Sequence, residues 1–282
     1  MLAVIGGSGL YSLSNLKITK EHVLDTPFGP PSDKVIEGVL EDKKILFLSR
    51  HGKGHRLLPH EVNYRANIFA LKSLGATKVL SVSACGSLRE KIKPGDLALV
   101  EQYFDHTRGN RKNSFFGDGI AAHVSTAKPA CPALTQDVIS AAKQANLEIH
   151  TGATYACVEG PRLGTRAESF FLKDSAKCDV VGMTNIPEVF LAREAQLAYC
   201  TLCLVTDYDC WMDDPAQHVT VEKFFEVYSQ TVDKAKETLS ALAKQELSET
   251  PEEISSALKF SILTADKNIS AEQKQWLETL RA

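Results

Sequence analysis

No apolar run in this sequence approaches the roughly 18 residues that a membrane-spanning helix requires; the longest candidates, such as Leu202 to Val205, are strand-sized. No membrane partner is expected. Charge of neither sign accumulates: 32 Lys and Arg stand against 35 Asp and Glu, no block of like charge exceeds a few residues, and the net charge is −3. A nucleic-acid backbone would find no basic stripe, so nucleic acid is not expected as a partner either. Glycine (17) and proline (11) are too sparse in 282 residues for a fibrous or low-complexity chain, and 44% apolar with 24% charged residues is a globular composition. Cysteine is too scarce for a disulfide framework. The seven are odd in number, and Cys85, Cys157, Cys200 and Cys203 lie inside apolar segments, as reduced core thiols do. Cys200 and Cys203 have CxxC spacing, but within the strand-like YCTLCLV they point to opposite faces, which argues against a redox or zinc pair. A strand-like LAVIGG begins at Leu2 with no basic leader and no small-residue cleavage site, so the expectation is no signal peptide and a cytoplasmic location.

What is present is an alternation of short β-branched runs with helical periods. Strands are predicted at residues 2–5, 35–40 and 44–48 (a hairpin), 79–83, 97–100, 151–158, 180–183 and 199–206, with helices at 64–74, 134–145, 165–172 and 187–198. This is an α/β pattern. A long helix from Val221 to about Lys244, N-capped by Thr220, carries Val221, Phe224, Tyr228, Val232, Ala235, Leu239 and Leu242 on one stripe and should close the core. The polar stretch 248–256 reads as a linker, giving one domain over residues 1–247 and a tail over 248–282 that contributes to subunit contacts. The tail holds the alternating LKFSILT, which has no obvious partner strand in its own domain, and a short helix opened by the capping box Ser270 to Gln273.

Polar residues gather where apolar strands end. GGSG (Gly6 to Gly9) follows the first strand, but Ser12 stands where the third glycine of a dinucleotide fingerprint would be. DTPFGPPSD and a hairpin then replace the crossover helix, which disfavours NAD. Ser8 and open backbone N–H groups here either bind an anion or form a plain turn. Arg50 and His51 follow ILFLS; the arginine fork matches phosphate and His51 can add a donor. His55 and His60 lack the helix or carboxylates of a metal site, so no metal is expected, and His60 reads as a loop histidine. Ser83 and Ala84, opening SACGS, offer a hydroxyl and unpaired N–H groups in a turn, and with Ser8 and Arg50 they would form an oxyanion pocket at one sheet edge. Glu159, near Arg162 and Arg166, reads as structural ion pairing. Met183 and Thr184 end another strand. Asp207 and Asp209 follow LCLVT and fall on one face by alternation; they can share a proton and offer a ligand one donor and one acceptor, or serve only as a cap and a turn residue.

In order and spacing, GGSGL, DTPFG, PSD, RHGKGH, NYRAN, ACGSLRE, PGD, EGPR, RAES, GMT, IPE and TDYDCW resemble the trimeric purine nucleoside phosphorylases, in their methylthioadenosine branch, from Gly6 to about Leu263. The resemblance implies a mixed sheet with a distorted barrel flanked by helices. It implies a homotrimer that cleaves a nucleoside with inorganic phosphate as co-substrate and without metal or organic cofactor. Its phosphate site would fall on Ser8, Arg50, His51, Ser83, Ala84 and Thr184, with Met183 under the ribose and Asp207 and Asp209 at the base. Leu163 stands where the family has a base-stacking aromatic. Val221, Phe224 and Phe225 offer an apolar wall suited to a methylthio group. His123 and Leu263 fall at the positions that cover this pocket from the adjacent subunit. An aspartate here accepts from an adenine amino group, whereas an oxopurine would set lone pair against lone pair. A broad or 6-oxopurine preference is the alternative within the same chemistry. A non-catalytic purine-binding protein is the alternative of another class.

Overall fold

Every residue of LAVIG is apolar or small, and the strand it forms, β1 (Leu2–Gly6), is buried throughout. It lies between β4 (Lys43–Ser49) and β5 (Lys78–Ser87), parallel to both. The computed structural model describes residues 1–7, 10, 15–109, 111–213 and 221–282, with side chains from 226 onward in the last stretch. Outward from β4 run β3 (Val35–Leu40) and β2 (Lys17–His22), each antiparallel to its neighbour. On the other side the sheet closes on itself. β5 pairs with β8 (Val180–Gly182), which continues through β7 (His150–Val158), β6 (Leu97–His106) and β9 (Ala198–Tyr208) back to β5. The result is a five-stranded mixed barrel with four outer strands, the α/β mixed-sheet architecture that the resemblance implied.

Helices cover both faces because the strands alternate between two cores. Along β9, Tyr199, Cys203 and Val205 join one apolar cluster, while Cys200, Leu202 and Leu204 join the other. The CxxC thiols therefore face opposite sides and are free. The first cluster lies under α1 (Tyr64–Ser73), α4 (Glu188–Glu194) and α7 (Ala271–Arg281); the second lies under α2 (Pro132–Gln144) and α5 (Val221–Lys244); the short α3 (Arg166–Phe170) follows β7. Asn63 caps α1 by accepting from the Ala66 N–H. On α5 the buried residues Val232, Ala235, Leu239 and Leu242 follow the expected stripe. Burial of such side chains stabilises by about 1.5–3 kcal/mol each. Thr220 and the side chains of Val221, Phe224 and Phe225 lie outside the described residues. Among the described residues no helix is long and apolar enough to cross a membrane.

Three sequence expectations are corrected. β5 does not stop at Ser83: Ala84 to Ser87 continue the strand, paired with β9, so ACGS is not a turn. β6 runs on to His106 although EQYFDH is polar, because the far end of this barrel strand is only partly covered. The tail finds its own core. LKFSILT forms turns after α6 (Glu252–Ser255), with Leu258 1% exposed, and Trp276, Leu277 and Leu280 of α7 are buried in the same cluster. Phe260 and Leu263 are left outside, 85% and 66% exposed. Leu263 N–H donates to Ala121 O at 2.9 Å and His123 N–H to Ser261 O at 2.9 Å, which brings His123 alongside the tail.

Candidate active site

β1, β4, β5 and β9 are parallel, so their carboxyl ends lie on one side of the sheet, where open α/β sheets bind ligands. β5 is also split there. It pairs with β1 only as far as Ser81 and with β8 only from Gly86, so on that side Val82 to Cys85 have no strand neighbour among the described residues. Ala84 is exposed in mid-strand, at this opening. Ser83 Oγ and Thr184 Oγ1 are 2.8 Å apart, joining two of the residues expected at phosphate. Thr184 follows Gly182 and Met183 at the end of β8, and its N–H donates to Tyr155 Oη at 3.4 Å. Any side chain at Gly182 would collide with that same hydroxyl, so the close approach requires glycine.

Arg50 lies at this edge but is committed elsewhere. Its side chain is 2% exposed and pairs with the fully buried Glu188 of α4: Nε donates to Oε2 at 2.7 Å and Nη2 to Oε1 at 2.9 Å. Nη2 also donates to Ser81 Oγ at 2.6 Å and Nη1 to Val82 O at 3.2 Å. A guanidinium has five N–H hydrogens, and a single Nη1 hydrogen is left. The fork thus holds a carboxylate of the chain itself, and the one Nη1 hydrogen is what Arg50 has for an anion. Burial opposes the charged guanidinium, yet the Glu188 carboxylate outweighs it and holds the pKa above the ordinary arginine value.

His51 is also committed to the chain. Its Nδ1 lies 2.8 Å from Leu57 O, and a carbonyl only accepts, so Nδ1 carries the hydrogen and Nε2 the lone pair. Burial and the Arg50 charge push the ring to about 4. With Nδ1 engaged, Nε2 is the nitrogen left to face a ligand, and the ring stacks on His55 with ring centroids 4.3 Å apart.

The two aspartates stand over the same stretch of β5, as alternation requires. A Cβ placed on Gly86 would lie 3.3 Å from Asp207 Oδ2 and 3.5 Å from Asp209 Cβ. Asp207 Oδ1 accepts from Thr206 Oγ1 at 2.6 Å. Burial raises the Asp207 carboxyl to about 6; the Thr206 hydroxyl opposes this and the Asp209 charge adds to it. A half-buried carboxyl that titrates near neutrality can give or take a proton in catalysis. Cys210 Sγ donates to Gly164 O at 3.6 Å, which draws the EGPRLG loop to this end of β9, although Leu163 itself is 81% exposed.

A family profile described as the Phosphorylase superfamily matches residues 1–245. The chain is 45% identical to the S-methyl-5'-thioadenosine phosphorylase of Geobacter sulfurreducens over 280 residues, 99% of this chain and 97% of the relative. A crystal structure of methylthioadenosine phosphorylase from an Antarctic soil metagenomic library superposes with TM-score 0.93 at 42% identity, covering 99% of this chain and 98% of the other. The Schistosoma mansoni methylthioadenosine phosphorylase in complex with adenine gives TM-score 0.81 at 38% identity, covering 86% and 90%. The chain belongs to the phosphorylase superfamily.

In this phosphorylase, two buried charges that sequence reasoning did not single out frame the site. One is Glu188, visible only as the last letter of IPE. The other is Arg111, 7% exposed, in a loop whose neighbouring Arg108 and Lys112 carry the same kind of charge, so the sequence held no signal to choose among them. Arg111 also corrects the expected partner of Glu159: Arg111 Nε donates to Glu159 Oε1 at 3.2 Å. Arg162 pairs instead with Glu168, and Arg166 with Asp213. Met183 packs across the same loop, with its Sδ too near Gly160 for a side chain there. Of the expected site residues, Ser8 and the side chains of Val221, Phe224 and Phe225 lie outside the described residues.

Proposed function

We propose that this phosphorylase cleaves 5'-methylthioadenosine with inorganic phosphate, giving adenine and 5-methylthioribose 1-phosphate. The observation that carries this reading is the pair Asp207 and Asp209 at the end of β9, set over the same strand that presents Ser83 to Thr184. The names of the relatives support it. Phosphate is held by the Ser83 and Thr184 hydroxyls and the remaining Arg50 Nη1 hydrogen along the open edge at Ala84; Ser8, outside the described residues, is the further donor that the resemblance implies. His51 accepts the hydrogen of a protonated phosphate oxygen. A phosphate oxygen attacks C1' of the ribose, which rests on Met183, while the C1'–N9 bond breaks and its electron pair leaves with the base. Protonated Asp207 donates to the five-membered-ring nitrogen as that charge develops, a step typically worth 10²- to 10⁴-fold. The aspartate pair accepts from the exocyclic amino group, which favours an aminopurine over an oxopurine. The reaction needs no electrophile beyond these donors, so the reading includes neither metal nor organic cofactor. Base release from methylthioadenosine, adenosine, inosine and methylthioinosine, each with and without phosphate, tests it. Adenine release that does not depend on phosphate would make the enzyme a hydrolase and overturn the proposal.

The proposal extends to a cytoplasmic homotrimer with a shared site. Phe260 and Leu263 are large apolar side chains left in solvent beside the His123 loop, and a neighbouring subunit is where they bury. Truncating the tail would not test this, because α7 belongs to the chain's own core. Complementation does. Asp207→Ala is mixed with a His123→Ala/Leu263→Ala variant under conditions of subunit exchange. Each variant alone is expected to be nearly inactive, and mixed assemblies to regain a measurable fraction of activity at sites with an intact aspartate facing an intact neighbour. No recovery despite proven exchange would assign each site to a single chain.

A further inference from the structure

Arg111 sits between the end of β7 and the segment that carries the proposed phosphate and ribose contacts Thr184 and Met183, and all of its hydrogens are spent there. Nη1 donates to Met183 O at 2.7 Å and to Ile186 O at 2.6 Å. Nη2 donates to Glu159 O at 2.9 Å and to Val158 O at 3.4 Å, and Nε to the Glu159 carboxylate at 3.2 Å. The guanidinium carbon lies 5.6 Å from the Tyr64 ring centroid. A guanidinium has five N–H hydrogens, so Arg111 has none to offer a substrate. What it does is tie the end of β7 to the segment from Met183 to Ile186, which carries Met183 and Thr184 and leads into Glu188.

The segment after β8 has other holds, Asn185 Nδ2 donating to Ser81 Oγ at 2.9 Å and to Tyr199 Oη at 3.0 Å, but none of them engages the Met183 carbonyl. β8 is three residues long, and Gly182 is its last. Beyond it, the carbonyls of Met183 and Ile186 point at Arg111 while the Thr184 hydroxyl meets Ser83. The loop that carries Arg111 is anchored from outside the site a few residues on. Glu194 of α4 accepts from Ser114 Oγ and from the Phe115 N–H, both at 2.7 Å, and the Phe115 ring packs 5.0 Å from Phe28. The base carboxylates are held differently: Asp207 and Asp209 stand on β9 over β5, and no hydrogen bond of Arg111 reaches either strand.

We propose that Arg111 is a positioning residue for the phosphate and ribose half of the site: it fixes Met183 and Thr184 against β7 without touching substrate and leaves the base half independent. This rests on the function proposed above. Displacements of about 1 Å in groups that orient a substrate can cost about 10²-fold in rate, and lysine keeps the charge of arginine but cannot bridge several carbonyls in one plane.

The test compares wild type, R111K and R111A by calorimetric titration with phosphate and with adenine, and by steady-state turnover. For R111K the expected result is phosphate affinity about 10-fold weaker and kcat/KM about 10²-fold lower, with adenine affinity within about twofold of wild type. Millimolar guanidinium should restore part of the phosphate affinity and turnover of R111A. R111K settles the matter if R111A fails to fold. Wild-type phosphate affinity in R111K overturns the proposal, as does parallel loss of adenine and phosphate binding, including loss through a collapsed melting transition, since either result makes Arg111 inert or a general structural residue. If wild type releases no base from any nucleoside, the reaction assigned above is wrong, and the two titrations still judge the positioning role separately.

Discussion

Asp207→Asn is expected to lower turnover of methylthioadenosine by about 10²-fold or more, yet to leave the protein more stable than wild type at pH 8. The two effects have one cause. Burial raises the carboxyl from 3.8 to about 6, so between those values the folded chain holds a proton that the unfolded chain has released. Stability from this group is therefore fully present below the unfolded value and declines as pH rises towards about 6; above that, folding keeps an ionised carboxylate in a partly desolvated place. Asparagine is neutral throughout. The melting-temperature gap in favour of the variant should be widest at pH 8 and close as pH falls from 6 to 4. The rate tells the complementary story, because the donor is the protonated form: wild-type kcat/KM should carry a falling limb with a midpoint near the raised carboxyl value, and the variant should lack it. Asparagine also turns an acceptor into an amide donor, so inosine-type substrates should lose less than methylthioadenosine. An unchanged ratio of the two activities, with no stability gain at pH 8, would return Asp207 to the role of an ordinary turn residue.

The barrel was legible where a strand is apolar on both faces and obscure where it is not. LAVIG and YCTLCLV declared themselves because two cores need a continuous apolar run. KITKEH of β2 is exposed at almost every position and has no alternation to detect, so only its pairing with β3 reveals it. ACGS resembled a turn because small residues suit turns, but in β5 smallness serves the close approach of Asp207 and Asp209 to Gly86. The tail misled for a related reason. Alternation in LKFSILT suggested a strand lacking a partner, whereas Leu258 goes inside, Ile262 packs against the core and bridges to Ala122, and Ser261 and Leu263 hold the chain by backbone hydrogen bonds.

The site was legible as a set of residue types at strand ends and not as a set of roles. Asp207 and Asp209 could be placed on one face from period two alone. Arg50 and His51 could be placed at the sheet edge, but what their nitrogens face depends on Glu188 and Leu57, and that is a long-range matter for Glu188, which lies in another helix. A donor inventory decides such cases. It leaves Arg50 one hydrogen for a ligand and Arg111 none, although the sequence presents both as arginines beside candidate loops.

Glu188→Ala is expected to destabilise the protein by about 3–5 kcal/mol, the cost of leaving a buried charge without its partner. Glu188 is fully buried and receives Arg50 Nε and Nη2, Ser81 Oγ at 2.8 Å and Tyr199 Oη at 2.8 Å, so its removal strands four donors at once. Arg50→Ala should cost a similar amount for the mirror-image reason. Replacing both by methionine removes both charges together, and apolar substitution of a whole buried ion pair is often neutral or better. The double variant should therefore recover much of the stability that either single change loses, a coupling readable by urea denaturation. Activity should not follow. With the Nη1 donor gone from the open edge of β5, the phosphate KM of the double variant should rise by about 10-fold or more, the loss of a charge-assisted hydrogen bond of about 1.5–3 kcal/mol, while adenine binding at β9 stays close to wild type. A refolded, stable double variant with the wild-type phosphate KM would show that the pair serves the fold alone, and would move the phosphate contacts to Ser83, Thr184 and the backbone around Ala84.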